Sequence, residues 1–170
     1  MPINEYPNNF SHLVDVDLPA LLEQMDVARQ NAIPMGDFAI DGLGVATIAR
    51  QLGLTGDFPG CYLLLERERP IYVGISRAVL QRLRQHARGT THFDASLAYR
   101  IAADRMPHNH TRSRAMQTEE FKAQFEAAKI YIRALNVAYV RIDNPLVLYV
   151  FEPYCAMHYD TAEWNTFETH

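Results

Sequence analysis

The chain has 170 residues, 48% of them hydrophobic and 21% charged, the balance of one globular domain large enough to bury its own core. No stretch approaches the roughly 18 to 20 uninterrupted apolar residues of a transmembrane helix, so a membrane partner is not expected. The formal net charge of −4 speaks superficially against a nucleic-acid partner, but it averages over segments of opposite sign.

Residues 1–66 hold 2 basic and 9 acidic side chains, residues 67–141 hold 14 and 6, and residues 142–170 hold none and 5. The middle block is where a phosphate backbone would be met; a solvated basic face is the bland reading of the same block. The N-terminus has neither the basic start and apolar block of a secretory signal nor an Arg-rich transit pattern, so a cytoplasmic protein is expected, with a leaderless secreted toxin as the alternative. Cys61 and Cys155, the two cysteines, lie in apolar contexts and read as small buried hydrophobes.

In chain order, Leu18, Leu21, Leu22, Met25 and Ala28 fall at helical spacing over residues 18–32, with Asp17 as the expected N-cap before Leu18-Pro19. Pro34, Gly36, Gly42 and Gly44 break the chain before a short helix over 45–52, ended at Gly53. From Gly60 the character changes: Cys61–Leu65 and Ile71–Gly74 are apolar, aromatic-rich runs joined by the charged segment Glu66–Pro70, which predicts two antiparallel strands. Beyond Ser76, the residues Val79, Leu80, Leu83, His86 and Ala87 share one helical stripe ended by Gly89, while Arg77, Arg82, Arg84 and Arg88 occupy other positions. Residues 104–118 are polar and basic, a loop carrying Arg112 and Arg114, before a helix at roughly 119–134. Residues 136–142 predict a third strand. Asn144-Pro145 opens a final helix containing Glu152, which Pro153 should kink or shorten.

Gly60-Cys61-Tyr62, with Tyr72-Val73-Gly74 ten residues on, resembles the two-part signature of the GIY-YIG nucleases, Cys and Val standing for its central isoleucines. Arg82 follows Tyr72 by ten positions and His86 follows Arg82 by four, as in that family's helix; a spacing of four puts both on one helical face. Glu152 and Asn165 fill the places of the family's metal-binding Glu and later Asn. The resemblance covers residues 60–170, and six positions in order on strand, strand, helix and helix are harder to meet by chance than one short signature. It implies an α/β fold with a small three-stranded, mainly antiparallel sheet flanked by helices, here over residues 56–170, with residues 1–55 as an N-terminal helical extension.

The resemblance also implies roles. Glu152 is a hard oxygen ligand for one Mg²⁺, with Mn²⁺ as a substitute. Arg82 offers a fixed fork of donors to the scissile phosphate. Tyr62 is implied as the base on the attacking water and Tyr72 as a partner in the same water network. His86 could bond Tyr62 or the phosphate, or be the base itself, and the residues leave these roles open. Gly74 and Asn165 are supporting positions; Arg77, Arg84, Arg88, Arg112 and Arg114 are candidate phosphate contacts. Taken apart from the family, either Tyr reads more simply as a strand aromatic and Arg82 as a solvated helix charge.

His108 and His110 lack the accompanying Cys or carboxylate spacing of a zinc site. His92 is not assigned, and His170 reads equally as a packing or terminal residue. The expected function is metal-dependent endonuclease action on DNA. Its rivals are a nucleic-acid-binding module without turnover, an RNA-cleaving enzyme and an antibacterial toxin nuclease. Oligomeric state is open.

Overall fold

A computed structural model of the chain describes residues 3–167; His170 lies outside them. In chain order the elements are α1 (Phe10–His12), α2 (Leu18–Gln30), β1 (Ile33–Pro34), α3 (Val45–Gln51), β2 (Gly60–Glu66), β3 (Arg69–Ser76), α4 (Val79–Arg88), α5 (Ser96–Arg105), α6 (Arg112–Ala115), α7 (Glu119–Arg133), β4 (Asn136–Arg141) and α8 (Pro145–Tyr159). They fall into two compact units. The first takes the chain up to Ile33, Asp57–Val79 and the chain from Asn136 onward; the second takes Pro34–Gly56 and Leu80–Leu135.

The first unit holds the sheet, in the order β1-β4-β2-β3, with β2 antiparallel to both β3 and β4. The α/β class agrees with the sequence, but the sheet has four strands where three were expected. The addition is β1, whose two residues are too few to show an alternating pattern. The β2–β3 hairpin turns through Arg67 at φ 58°, and its register slips between Leu64 and Leu65, where Pro70 stands opposite Leu65. Proline has no N–H to give the ladder, so a bulge there is the natural accommodation.

One face of this sheet presents Cys61, Leu63, Leu65, Val73, Ala138 and Val140 to Leu18 and Met25 of α2 and to Val147, Leu148, Phe151 and Cys155 of α8. The Val, Leu, Met and Phe side chains among them each contribute about 1.5–3 kcal/mol by leaving water, so this layer anchors α8 to the strands. The cap of the first helix differs from the expectation. Helical structure begins at Phe10 and passes through a π-helical turn at Leu13–Asp17 into α2. Asn9 is therefore the cap, accepting from the His12 N–H at 2.9 Å. Asp17 has helical backbone angles and makes no capping bond; its carboxylate accepts the Tyr6 hydroxyl at 2.5 Å instead. Asn144 caps α8 by accepting from Leu146 and Val147. Pro153 does not shorten α8, which runs on to Tyr159. The carbonyl that loses its helical donor belongs to Tyr149, 63% exposed, where water can serve it.

The second unit is helical. Gly53 ends α3 at φ 71°, the left-handed geometry glycine tolerates. The stripe Leu80, Leu83, His86 and Ala87 of α4 is fully buried, as its spacing predicts. Helix α5 packs against α7, with the Tyr99 and Phe121 rings 5.2 Å apart. No expectation covered α5: Leu97, Ala98, Tyr99, Ile101 and Ala102 are all buried, so apolar residues occupy most of its circumference and leave no single stripe to read. Residues 104–118 are not wholly loop, since α6 forms a turn there with Thr111 accepting from the Arg114 N–H. Charge separates between the units. The first has 5 basic and 13 acidic side chains, the second 11 and 7. Among the described residues no helix is long and apolar enough to cross a membrane.

Candidate active site

Antiparallel pairing places Tyr62 opposite Gly74 on one side and Tyr139 on the other, while Leu64 stands opposite Tyr72 and Val137. Residues directly opposite share a face, so Tyr62, Tyr72, Gly74 and Tyr139 all belong to the face away from Cys61 and Leu63. The rings of Tyr62 and Tyr72 converge to 6.2 Å between centroids, inclined by 50°. Tyr62 is 1% exposed and Tyr72 half-buried. Gly74 is what admits this arrangement: a β-carbon there would overlap the ring and hydroxyl of Tyr62. Two parts of the sequence signature are thus one packing unit, in which the strand is bare under the aromatic hydroxyl.

Asn165 reaches the strand between those two positions. Its side-chain oxygen accepts the Val73 N–H and its amide nitrogen donates to the Val73 carbonyl, both at 2.8 Å. Thr161 donates to the same Asn165 oxygen at 2.9 Å. Because β3 is an outermost strand, its outward backbone groups have no partner strand, and one carboxamide satisfies a donor and an acceptor together. Asn165 thus ties the C-terminal segment to the backbone between Tyr72 and Gly74.

Glu152 lies at the margin of the buried stripe of α8, one residue after Phe151, and is half-buried. Burial alone raises its pKa, and among the described residues no hydrogen bond or ion pair engages the carboxylate. A carboxylate held partly out of water gains from a cation placed beside it. Groups of three or more His, Cys, Asp or Glu able to hold a metal are absent among the described residues. Glu152 is a single carboxylate, a donor that a hard ion such as Mg²⁺, which keeps most of its waters, could use. Helix α8, and Glu152 with it, packs on the Cys61 face of the sheet, whereas Tyr62 and Tyr72 lie on the other face. Cys61 has its thiol pKa raised by burial, by a hydrogen bond with Cys155 and by the nearby charge of Glu152, and both cysteines are free and buried. Arg77, exposed, lines a cleft of about 510 Å³ in this unit with Ser76, Asp143, Leu148 and Tyr149.

The second unit carries the other motif residues. Arg82 lies one turn into α4, and its guanidinium donates to the Asp94 carbonyl at 2.9 Å, to Ser96 Oγ at 2.7 Å and to Gln85 at 3.2 Å. Sequence reasoning did not single out Ser96 and Asp94 as partners of Arg82, because they follow it by 14 and 12 positions across a loop and carry no spacing signal. His86 is fully buried; burial first, then the Arg82 charge, pushes its pKa down to about 3, so the ring is neutral near pH 7. Arg88 is engaged within the unit, 2.6 Å from Asp41 and donating to the Ile40 carbonyl. Arg84 has one buried nitrogen, Nη1, without a hydrogen-bond partner among the described residues. Arg112 and Arg114 are exposed on α6, Arg112 lying 5.6 Å over the Tyr99 ring.

Comparison with family models, curated proteins and solved structures yields no match.

Proposed function

We propose that the chain is a metal-dependent endonuclease of the GIY-YIG type, hydrolysing phosphodiester bonds in DNA. The observation that carries this reading is the half-buried Glu152 carboxylate, without a counter-charge among the described residues, in the same unit as the converging rings of Tyr62 and Tyr72, the first of them seated over Gly74. Mg²⁺, with Mn²⁺ as substitute, would supply positive charge to the phosphate and the departing 3′-oxygen when bound at Glu152.

Hydrolysis needs a proton taken from water, a counter-charge at phosphorus and a leaving group. Tyr62 would act in its phenolate form, taking the water proton to become the neutral phenol as the water oxygen bonds to phosphorus and the bond to the 3′-oxygen breaks; the departing 3′-oxygen leaves as an alkoxide and is protonated by solvent water. Tyr72 holds the attacking water in place, and Asn165 keeps the intervening backbone from shifting. Arg82 is assigned to the phosphate by its place in the motif. His86 serves this reading better as a neutral hydrogen-bonding ring than as the base, since a pKa of about 3 makes it a poor proton acceptor near neutral pH.

One observation favours a second reading, a nucleic-acid-binding module without turnover: Arg82 already spends donors on Asp94 and Ser96. Incubation with supercoiled plasmid, linear duplex, single-stranded DNA and RNA, each with and without Mg²⁺, separates the two. Mg²⁺-dependent cutting of DNA supports the nuclease; binding without cutting under every condition supports the module.

A further inference from the structure

The second unit carries a groove of about 450 Å³ whose lining includes Thr91, Phe93, Met116, Lys122 and Phe125. Phe93 is 74% exposed, an unusual setting for a large apolar ring, and it is not isolated. Its ring lies 4.0 Å from that of His92, which is itself buried 5.8 Å from the Tyr99 ring. Tyr99 in turn packs on Phe121 of α7. An exposed aromatic backed by a cluster of tilted aromatic rings leaves ring surface open, on which a planar base can stack without sequence preference.

The surrounding charge suits the phosphates on either side of such a base. Arg112 and Arg114 are exposed on α6 and flank Ser113, which lines the groove. Lys122 lies on the lining and pairs with Glu119 at the surface. The acidic residue of the lining, Glu126, is held by Lys129 at 2.8 Å, so its charge is locally compensated. The unit as a whole has 11 basic side chains to 7 acidic.

We infer that this groove takes one unpaired nucleotide of a DNA strand, its base stacked on Phe93 and its flanking phosphates met by Arg112 and Arg114. Within a duplex the base faces are covered by their neighbours, so the groove selects DNA with an extruded or gapped nucleotide. The inference rests on the nuclease reading for the class of ligand and adds what kind of DNA is preferred. It also gives the exposed ring a use that a protein core does not.

The test is equilibrium binding in EDTA, where no cutting occurs, of two duplexes of the same sequence, one fully paired and one with a single unpaired 2-aminopurine whose fluorescence reports stacking. The expected result is that wild-type protein prefers the second duplex by on the order of tenfold and quenches its fluorescence. Phe93→Ala should abolish both effects with paired-duplex affinity unchanged, and Phe93→Trp should restore them. Equal affinity of wild type for the two duplexes, or undiminished preference in Phe93→Ala, overturns the inference even if the enzyme cuts DNA with Mg²⁺. A wild-type protein that neither binds nor cuts DNA overturns the nuclease reading and this inference with it.

Discussion

The hydroxyl of Tyr62 occupies the space that a side chain at position 74 would need, so Gly74 and Tyr62 are one structural decision made on two adjacent strands. Gly74→Ala should therefore push the Tyr62 ring off its seat. Overpacking of this kind costs about 1–3 kcal/mol, and cleavage should fall much further than stability because the displaced atom is the proposed base. Thermal unfolding and a cleavage assay on the same preparation check this; an alanine variant with full activity would show that the Tyr62 position is not needed.

Asn165 gives a second prediction. Its two bonds to Val73 should be worth roughly 1–3 kcal/mol together, since their loss leaves backbone groups of an edge strand to water. Asn165→Asp keeps an acceptor for the Val73 N–H but cannot donate to the Val73 carbonyl, so it should be destabilised at neutral pH nearly as much as Asn165→Ala. Urea unfolding of the two variants measures this, and an aspartate variant of wild-type stability would refute the paired geometry.

Much of the fold was legible because periodicity and punctuation were strong. The Val79–Ala87 stripe, the Asn144-Pro145 start of α8 and Gly53 at the end of α3 each carry a local physical cause visible in the letters. What escaped had none. Asp17 is a good cap by type, yet helical structure already underway from Phe10 leaves it no free N–H to accept. Helix α5 hides by being buried on most sides, and β1 by having two residues. At the candidate site, the order and spacing of Tyr62, Tyr72, Arg82, His86, Glu152 and Asn165 could be read in advance. The burial of His86, the hold of Ser96 on Arg82 and the paired hydrogen bonds of Asn165 with Val73 could not, since each depends on residues brought together by folding.

His86 predicts a pH dependence of stability. Its folded pKa of about 3 lies below the ordinary 6.5, so between those values the unfolded chain binds the proton more readily. The contribution of the neutral buried ring is present above pH 6.5 and is lost as pH falls toward 3. Unfolding free energy measured from pH 7.5 to 4 should decline through this window, and His86→Phe, if it folds, should show a shallower decline. An identical slope in both proteins would mean that His86 titrates normally.

The same value bears on the identity of the base. Tyr62→Phe keeps the ring and its packing and removes the oxygen, so kcat should fall by at least about a hundredfold, the lower end of what general-base catalysis contributes, with DNA affinity little changed. The wild-type rate–pH profile should show no histidine-like inflection between about pH 6 and 7. A vigorous Tyr62→Phe enzyme whose rate still follows such an inflection would transfer the role to a histidine.

The measurement closest to the central claim is cleavage of supercoiled plasmid in Mg²⁺ by wild-type protein and Glu152→Gln, side by side and with their unfolding curves. The amide preserves shape while removing the charge proposed to hold the ion, and no described ion pair is broken by the change. Wild type should nick or linearise the plasmid in a Mg²⁺-dependent way and Glu152→Gln should not, with unfolding curves that coincide or favour the variant slightly. Equal cleavage by the two proteins, or no cleavage by a folded wild type with any divalent ion, would contradict the central claim.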